Sequence, residues 1–264
     1  MEYFVTSTGY LRDFSFAYCN ETEEFNVPNI IYIGNGAFFN SKFVTKIHAV
    51  NATGVGESAF QNCIKLYDVY LPSVYSIKNE AMMNCKNIKK IDFPNVRSIG
   101  SKCFSLCSKL KHINIPNAVR VEDYAFNFCS QLESIYLPKV THLEDSVFKN
   151  CTKLSSVIAP NVTKISKYAF SNCKMLLCLR LSNEIKDDDI DITSTEGCNN
   201  LLVVYPMTNK MKNKIQLNID SMIDLYFLLP LLCIENNDET DYNEIEDLVN
   251  IMCDEVIKFI IPLL

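Results

Sequence analysis

The sequence predicts a solenoid, in which one supersecondary unit of 22 residues is stacked repeatedly on itself. A cysteine returns at this constant spacing, at Cys63, Cys85, Cys107, Cys129, Cys151 and Cys173. An aromatic residue or methionine stands three residues before each cysteine, from Phe60 to Phe170, and a proline follows most of them nine residues later, from Pro72 to Pro160. A fixed period of this length indicates a repeat architecture, whose units bury their apolar faces against each other.

Each unit contains a short strand that precedes the proline. In the unit of Cys107, the apolar residues Ile113 and Ile115 alternate with polar residues. This alternation predicts two inward side chains with outward neighbours. Pro116 then ends the strand, because proline cannot donate a hydrogen bond to a ladder. Strands of successive units should lie parallel, ~4.8 Å apart.

The rest of the unit predicts turns on the far side of the solenoid. Segments of the form Val-x-x-Ile, such as the one from Val96 to Ile99, are too short for a long regular element. Gly34, Gly56 and Gly100 recur at one turn position, where we expect a positive φ. A column of asparagines follows the proline: Asn29, Asn51, Asn95, Asn117, Asn161 and Asn183. We expect these side chains to bond turn backbone groups between rungs.

The repeat frame extends beyond the six cysteines in both directions. Cys19 is in phase, and Ser41 occupies the next cysteine position. After Leu181 an insertion at 186–192 moves the last cysteine to Cys198. We therefore predict an array of about eight to nine repeats over residues 1–206 and a different segment over residues 207–264.

The C-terminal segment 207–264 has a helical pattern. Its apolar residues fall on one stripe of a helix: Ile245, Leu248, Val249, Met252, Val256, Phe259 and Ile260. We expect a helical cap over the last rung, whose apolar end would otherwise face water. The stretch from Glu235 to Glu255 holds nine acidic residues and no basic one. A helix that docks a partner is the alternative, whereas the acidic residues oppose binding to an anionic membrane surface.

The combined pattern Cys-x-x-Leu-x-x-Ile-x-Leu-Pro-x-Val-x-x-Ile-Gly-x-x-Ala-Phe resembles the BspA-like class of leucine-rich repeats. The unit from Cys107 to Phe126 carries most of it, and the resemblance covers about residues 14–206. It implies a leucine-rich-repeat solenoid shaped as a curved right-handed horseshoe. Short parallel strands would line the concave face, and turns with short 3-10 or helical segments would form the convex face. It also implies surface antigens or adhesins as one functional class.

The cysteines predict packing rather than disulfides. The chain has twelve, and most share one column in which they act as small buried hydrophobes with parallel Cβ vectors. With three histidines and no Cys-x-x-Cys pair, we expect no metal site and no cofactor. Neither a signal-peptide pattern nor an apolar run of membrane-spanning length occurs, so we expect a cytoplasmic protein, with the cell surface as the alternative.

Charge is distributed unevenly along the chain. Between Cys85 and Arg120, eight basic residues accompany one acidic residue, Asp92. This excess predicts either ordinary solvated faces or an electropositive patch that steers an acidic partner. Nucleic acid is disfavoured as a partner, because aromatic residues and glycines do not interleave with these lysines.

The candidate binding residues stand five and seven residues after each cysteine position, where the strands face outward. They are Lys46, His48, Asp68, Tyr70, Lys90, Asp92, His112, Asn114, Ser134, Tyr136 and Arg180. Their chemistry varies from rung to rung, and Tyr and Arg are typical interface anchors. No spacing supplies a nucleophile, a base and an orienting group, so we expect no enzyme.

We therefore predict a non-enzymatic protein–protein interaction scaffold that binds its partner on the concave face. A cell-surface adhesin that binds host matrix proteins is one alternative. An intracellular regulatory subunit that docks an enzyme through its acidic tail is the other.

Overall fold

The computed structural model describes residues 6–20, 24–206, 208–209 and 211–213, and its strands form two series, which we call ladders. The first ladder is divided into three hydrogen-bonded sheets and the second into two. The long-strand ladder consists of β2 (Glu24–Asn26), β4 (Lys46–His48), β6 (Asp68–Tyr70), β8 (Lys90–Asp92), β10 (His112–Asn114), β12 (Ser134–Tyr136), β14 (Ser156–Ile158), β16 (Cys178–Arg180) and β17 (Val203–Tyr205). The short-strand ladder consists of β1 (Tyr10–Leu11), β3 (Tyr32–Ile33), β5 (Gly54–Val55), β7 (Ser76–Ile77), β9 (Ser98–Ile99), β11 (Arg120–Val121), β13 (His142–Leu143) and β15 (Lys164–Ile165).

All strand pairs within the described residues are parallel and join equivalent positions of neighbouring repeats. Lys46 pairs with Asp68 and His112 with Lys90, each one repeat apart. In the last rung Cys178 pairs with Val203, because the predicted insertion lengthens that repeat. The insertion contains a turn of 3-10 helix, Asp187–Asp189. The described part is thus a parallel-strand solenoid of about eight turns, which confirms the solenoid predicted from the cysteine spacing as eight to nine repeats.

The core is a set of parallel columns that run the length of the solenoid. The central residue of each long strand points inward, as Ile47 and Ile91 do, while its neighbours face outward. Ile113 also points inward but is only partly buried against the core. The phenylalanine column stacks as two runs, Phe16–Phe38–Phe60 and Phe104–Phe126–Phe148–Phe170, with ring centroids 5.2–5.7 Å apart and ring planes within 12°. Stacked pairs of this kind add stabilisation beyond the burial of their area.

The cysteine column is a ladder of hydrogen bonds as well as a packing element. The six repeat thiols are reduced and buried, and each donates to the backbone carbonyl of the aromatic or methionine position one rung earlier, at 3.1–3.2 Å. Ser41 donates its hydroxyl to the equivalent carbonyl of Phe16, which explains how serine replaces cysteine there. Burial raises the pKa of the Cys63 and Cys107 thiols to about 12, so they stay protonated at neutral pH.

The turns differ in detail from the sequence prediction. Gly34, Gly56 and Gly100 do not have positive φ, so that expectation was wrong. They lie instead where the chain approaches the previous rung closely, since a Cβ on Gly100 would come 2.6 Å from the backbone nitrogen of Asn79. Left-handed residues stand one and five positions before each of the six repeat cysteines, as Leu106 and Lys102 do before Cys107.

The side opposite the long-strand ladder contains turns and short strands where short 3-10 or helical segments were also expected. In the regular repeats of the described residues no helical segment occurs there, because the two left-handed residues of each turn interrupt any helical run. The asparagine prediction is confirmed for four members of the column. The side-chain amides of Asn51, Asn95, Asn117 and Asn161 each donate to the carbonyl of the proline one rung earlier, at 2.5–2.9 Å.

The predicted helical cap lies outside the described residues, except for its first positions. Met211 is buried, and the backbone N–H of Lys212 donates to the carbonyl of Thr208 at 2.9 Å. The chain therefore still contacts the core shortly after Pro206. The boundary between an array over 1–206 and a cap over 207–264 remains a proposal.

Candidate protein-binding face

The eleven predicted binding residues all lie on the outward positions of the long-strand ladder. Seven are exposed: Tyr70, Lys90, Asp92, His112, Asn114, Ser134 and Tyr136. The other four are half-buried: Lys46, His48, Asp68 and Arg180. The structure thus brings them onto one strip, which we call the long-strand face. In β8 the side chains are exposed, buried and exposed in turn, which is the alternation from which the sequence predicted the outward positions.

The first three rungs of the long-strand face are linked by polar contacts between neighbours. The Lys46 ammonium lies 2.8 Å from the Glu24 carboxylate. His48 Nε2 lies 3.0 Å from Asp68 Oδ2, and the His48 ring meets the Tyr70 ring edge-on, with centroids 5.8 Å apart. Because Lys46, His48 and Asp68 already have partners within the chain, a ligand would have to compete for them.

The middle of the long-strand face is more open. Lys90 has no ion-pair partner among the described residues, whereas Asn114 donates to Asp92 at 2.8 Å. His112 Nε2 lies 3.8 Å from Glu133 Oε2, a distance that permits only a weak contact. Tyr70 and Tyr136 are each 51% exposed, so large aromatic surface is available to a partner at two places.

The basic stretch between Cys85 and Arg120 is divided among different sides of the solenoid. Five of its lysines lie before or within the long strands of two adjacent rungs: Lys86, Lys89, Lys90, Lys109 and Lys111. We call these five the lysine edge. Arg97 and Arg120 lie beside or on the short-strand ladder. Lys102 lies in the turns, 3.4 Å from Glu80.

The lysine edge is only partly neutralised within the chain. Lys111 lies 3.5 Å from Glu133, and Lys109 donates to the Asn87 side chain at 2.7 Å. Over the part of the chain that the structure describes, Lys86, Lys89 and Lys90 form no ion pair. The result is a localised positive region next to His112.

A second surface, which the sequence analysis did not single out, lies along the short-strand ladder. A groove of about 740 Å³ there is lined by ten residues, among them Tyr32, Tyr75, Lys78 and Arg97. The signal that could have found it was the pair of outward positions twelve and thirteen residues after each cysteine. These positions fall in segments too short for an alternation to be recognised.

The residues described here include no cluster of three or more His, Cys, Asp or Glu side chains suited to a metal ion. Within those residues, no helix is long and apolar enough to cross a membrane. Burial also raises the pKa of the Cys85 and Cys129 thiols, which makes them poor nucleophiles.

Comparison with protein families identifies the repeat. The model of the BspA-type leucine-rich repeat region matches in six copies, over residues 9–120 and 53–177. The chain belongs to this family. No curated protein matches the chain.

Among solved structures, similarity extends to bacterial leucine-rich-repeat proteins. The leucine-rich-repeat protein of Treponema pallidum is 23% identical, with a TM-score of 0.59 over 65% of this chain and 86% of that one. A leucine-rich cell surface protein of Faecalibacterium prausnitzii is 18% identical, with a TM-score of 0.38 over 78% of this chain and 85% of that one. The pneumococcal vaccine antigen PcpA is 15% identical, with a TM-score of 0.40 over 80% of this chain and 74% of that one.

The family match confirms the predicted family, and the likeness to the Treponema pallidum structure supports the leucine-rich-repeat solenoid. Leucine-rich repeats are generally used for protein–protein interaction, and such solenoids are typically non-enzymatic binding scaffolds. The BspA-type array thus supports a protein-binding class for this chain.

Proposed function

We propose that this BspA-type array is a protein–protein interaction scaffold and that the long-strand face, the predicted concave face, is its binding surface. The observation that carries the proposal is the contrast between inside and outside. Inward columns repeat the same residue types, whereas the outward positions change charge and size at nearly every rung. Tyr70 and Tyr136 supply exposed aromatic surface of the kind that dominates interface energetics.

The lysine edge indicates the chemistry of the partner. Lys86, Lys89 and Lys90 are exposed, and they crowd positive charge beside the centre of the long-strand face. A partner that carries acidic side chains would be steered to this region, and its association would weaken as salt rises. Lys90 belongs to both the lysine edge and the long-strand face, so it is the residue where charge and aromatic contacts would meet.

Two settings fit such a scaffold. We expect the cytoplasm, where the six buried thiols would remain reduced. A cell-surface adhesin that binds host matrix proteins is the alternative that the family name raises. Detection on unpermeabilised cells would favour the adhesin, whereas partners recovered from the cytosol would favour the intracellular scaffold. A regulatory subunit that docks an enzyme through the acidic segment from Glu235 to Glu255 would require binding that survives changes on the long-strand face.

The test begins with proximity labelling in the native cell, followed by affinity measurement with each recovered partner. The face variant combines Lys90→Glu, His112→Ala and Tyr136→Ala. We expect it to fold as the wild type does and to bind about tenfold or more weakly, because a charge is reversed and an aromatic anchor is lost.

The matched control carries the same residue changes away from the long-strand face. Lys164→Glu and His142→Ala lie on the short-strand ladder, and Tyr124→Ala lies in a turn. We expect this control to bind as the wild type does. If the folded face variant keeps wild-type affinity for every recovered partner, the long-strand face is not the binding site, and the acidic segment becomes the leading candidate.

A further inference from the structure

The groove on the short-strand ladder has features of a ligand site that is separate from the long-strand face. Its volume of about 740 Å³ falls within the range of small-molecule sites, ~300–1,000 Å³. Its lining residues are serine, threonine and asparagine beside two tyrosines, a glycine, a lysine and an arginine, yet apolar atoms form the larger part of the lining surface. A ligand with both polar groups and an apolar face therefore suits it.

The aromatic wall formed by Tyr32 is held in place by its neighbours. One face of its ring stacks on Tyr10, with centroids 5.2 Å apart and an interplanar angle of 7°. The ring also lies directly over Gly54, since a Cβ there would come 2.6 Å from a Tyr32 ring carbon. Gly54 is thus required for this ring position, and any side chain in its place would displace the ring.

The groove also carries positive charge without a balancing carboxylate. None of the ten lining residues is acidic. Lys78 and Arg97 form no ion pair among the described residues, and the Arg97 guanidinium lies 5.4 Å from the centre of the Tyr75 ring. One rung further, Arg120 differs, because its Nε lies 3.0 Å from Glu122 Oε1. The contact with the Tyr75 ring helps to position the Arg97 guanidinium, whose N–H groups form no ion pair among the described residues.

We propose that this groove binds an anionic sugar unit, a pyranose that bears a carboxylate. The carboxylate would accept hydrogen bonds from the fork of Arg97, a geometry that guanidinium groups favour. The C–H face of the sugar would rest on the side of the Tyr75 ring that Arg97 does not cover, because the face of a tyrosine ring is electron-rich. The sugar hydroxyls would exchange hydrogen bonds with Ser76 and Asn95, both of which line the groove. No apolar pocket for a peptide side chain is needed in this arrangement.

The experiment compares two probes that share one ring, glucuronic acid and glucose, with the full chain by ligand-detected NMR and by titration. We expect glucuronic acid to bind in the millimolar range typical of single sugar units and glucose to bind more weakly. Arg97→Gln should weaken the binding of glucuronic acid about tenfold, because the substitution removes a charge-assisted contact. Arg120→Gln is the matched control, and it should leave binding unchanged.

Three outcomes would overturn the proposal. Equal binding of glucose and glucuronic acid would show that the carboxylate is not recognised. Glucuronic acid binding that Arg97→Gln and Tyr75→Ala leave unchanged would place the site elsewhere. Binding of hexaglutamate with the same dependence on Arg97, and with higher affinity than glucuronic acid, would show a general acidic-peptide site. The Lys90→Glu, His112→Ala, Tyr136→Ala variant should keep sugar binding. A failure of the sugar-binding proposal can therefore be distinguished from a failure of the proposed scaffold function.

Discussion

The cysteine column makes a sharp prediction for Cys107, which lies at the middle of the array. Its side chain is fully buried, and its Sγ donates to the carbonyl of Met82 at 3.2 Å. Ser41 already occupies this position in an earlier rung, where its hydroxyl donates to the carbonyl of Phe16. We therefore expect Cys107→Ser to be tolerated better than Cys107→Ala.

The magnitude follows from what each substitution removes. Alanine deletes one buried heavy atom, which costs ~0.5–1.5 kcal/mol by analogy with the loss of a methylene. It also deletes a hydrogen bond worth ~0.5–1.5 kcal/mol, at the lower end for a thiol donor. The Met82 carbonyl still accepts a hydrogen bond from the backbone N–H of Cys85 at 3.2 Å, so the alanine variant leaves no buried acceptor unpaired. The expected loss of unfolding free energy is about 1–2.5 kcal/mol for alanine and below about 1 kcal/mol for serine.

Urea unfolding followed by far-UV circular dichroism measures the difference, provided that the two variants unfold with equal m-values. Thermal unfolding gives a second reading, with ~2–4 °C expected per kcal/mol for a chain of this size. If alanine costs no more than serine, the thiol hydrogen bond contributes nothing measurable. The cysteine period would then reflect the size of the side chain alone.

Three further predictions concern the core, the turns and the end of the array. Ile135→Ala should lower the unfolding free energy by about 2–5 kcal/mol, because Ile135 is 3% exposed. Ile113→Ala should lower it by less, because Ile113 is only partly buried. Equal losses of unfolding free energy, measured in urea, would contradict this difference in burial. Phe128 holds φ at +60° and is 46% exposed, so Phe128→Asn should raise the free energy of unfolding by about 0.5–1 kcal/mol and move the urea midpoint upward. A lowered midpoint would show that the contacts of the ring outweigh the strain. Truncation after Pro206 should lower the melting temperature or cause aggregation, because an uncapped array exposes its apolar end. An unchanged melting temperature and a monodisperse monomer would show that the segment 207–264 is a separate module.

Much of the fold could be predicted because the repeat aligns each residue type with one column. The cysteine and phenylalanine positions, the inward strand residues and the outward strip all followed from the period. The short-strand ladder did not, because strands such as Tyr32–Ile33 span two residues and show no alternation. The positive φ assigned to Gly56 was wrong, since close approach to the previous rung, rather than turn geometry, explains this glycine.

The candidate site was predicted as positions but not as interactions. That His48 and Tyr70 face outward follows from strand alternation, yet the contact between His48 and Asp68 depends on side-chain conformations. The basic stretch from Cys85 to Arg120 was predicted as one patch or as solvated faces, but its residues lie on different sides of the solenoid. A window from Cys85 to Arg120 covers more than one full turn of the solenoid, so Arg97 and Lys90 fall on different sides. A run of charged residues in the sequence therefore indicates which repeats are charged, but not which side of the solenoid carries the charge.

The most direct test of the account is hydroxyl-radical footprinting of the wild-type chain, alone and bound to its recovered partner. Tyrosine and histidine side chains report on each surface within one experiment. We expect the partner to protect Tyr70, His112 and Tyr136 on the long-strand face, while Tyr75 and Tyr124 on the other sides keep their reactivity. Protection of Tyr75 or Tyr124, with Tyr70, His112 and Tyr136 unchanged, would contradict the assignment of the long-strand face as the protein-binding surface.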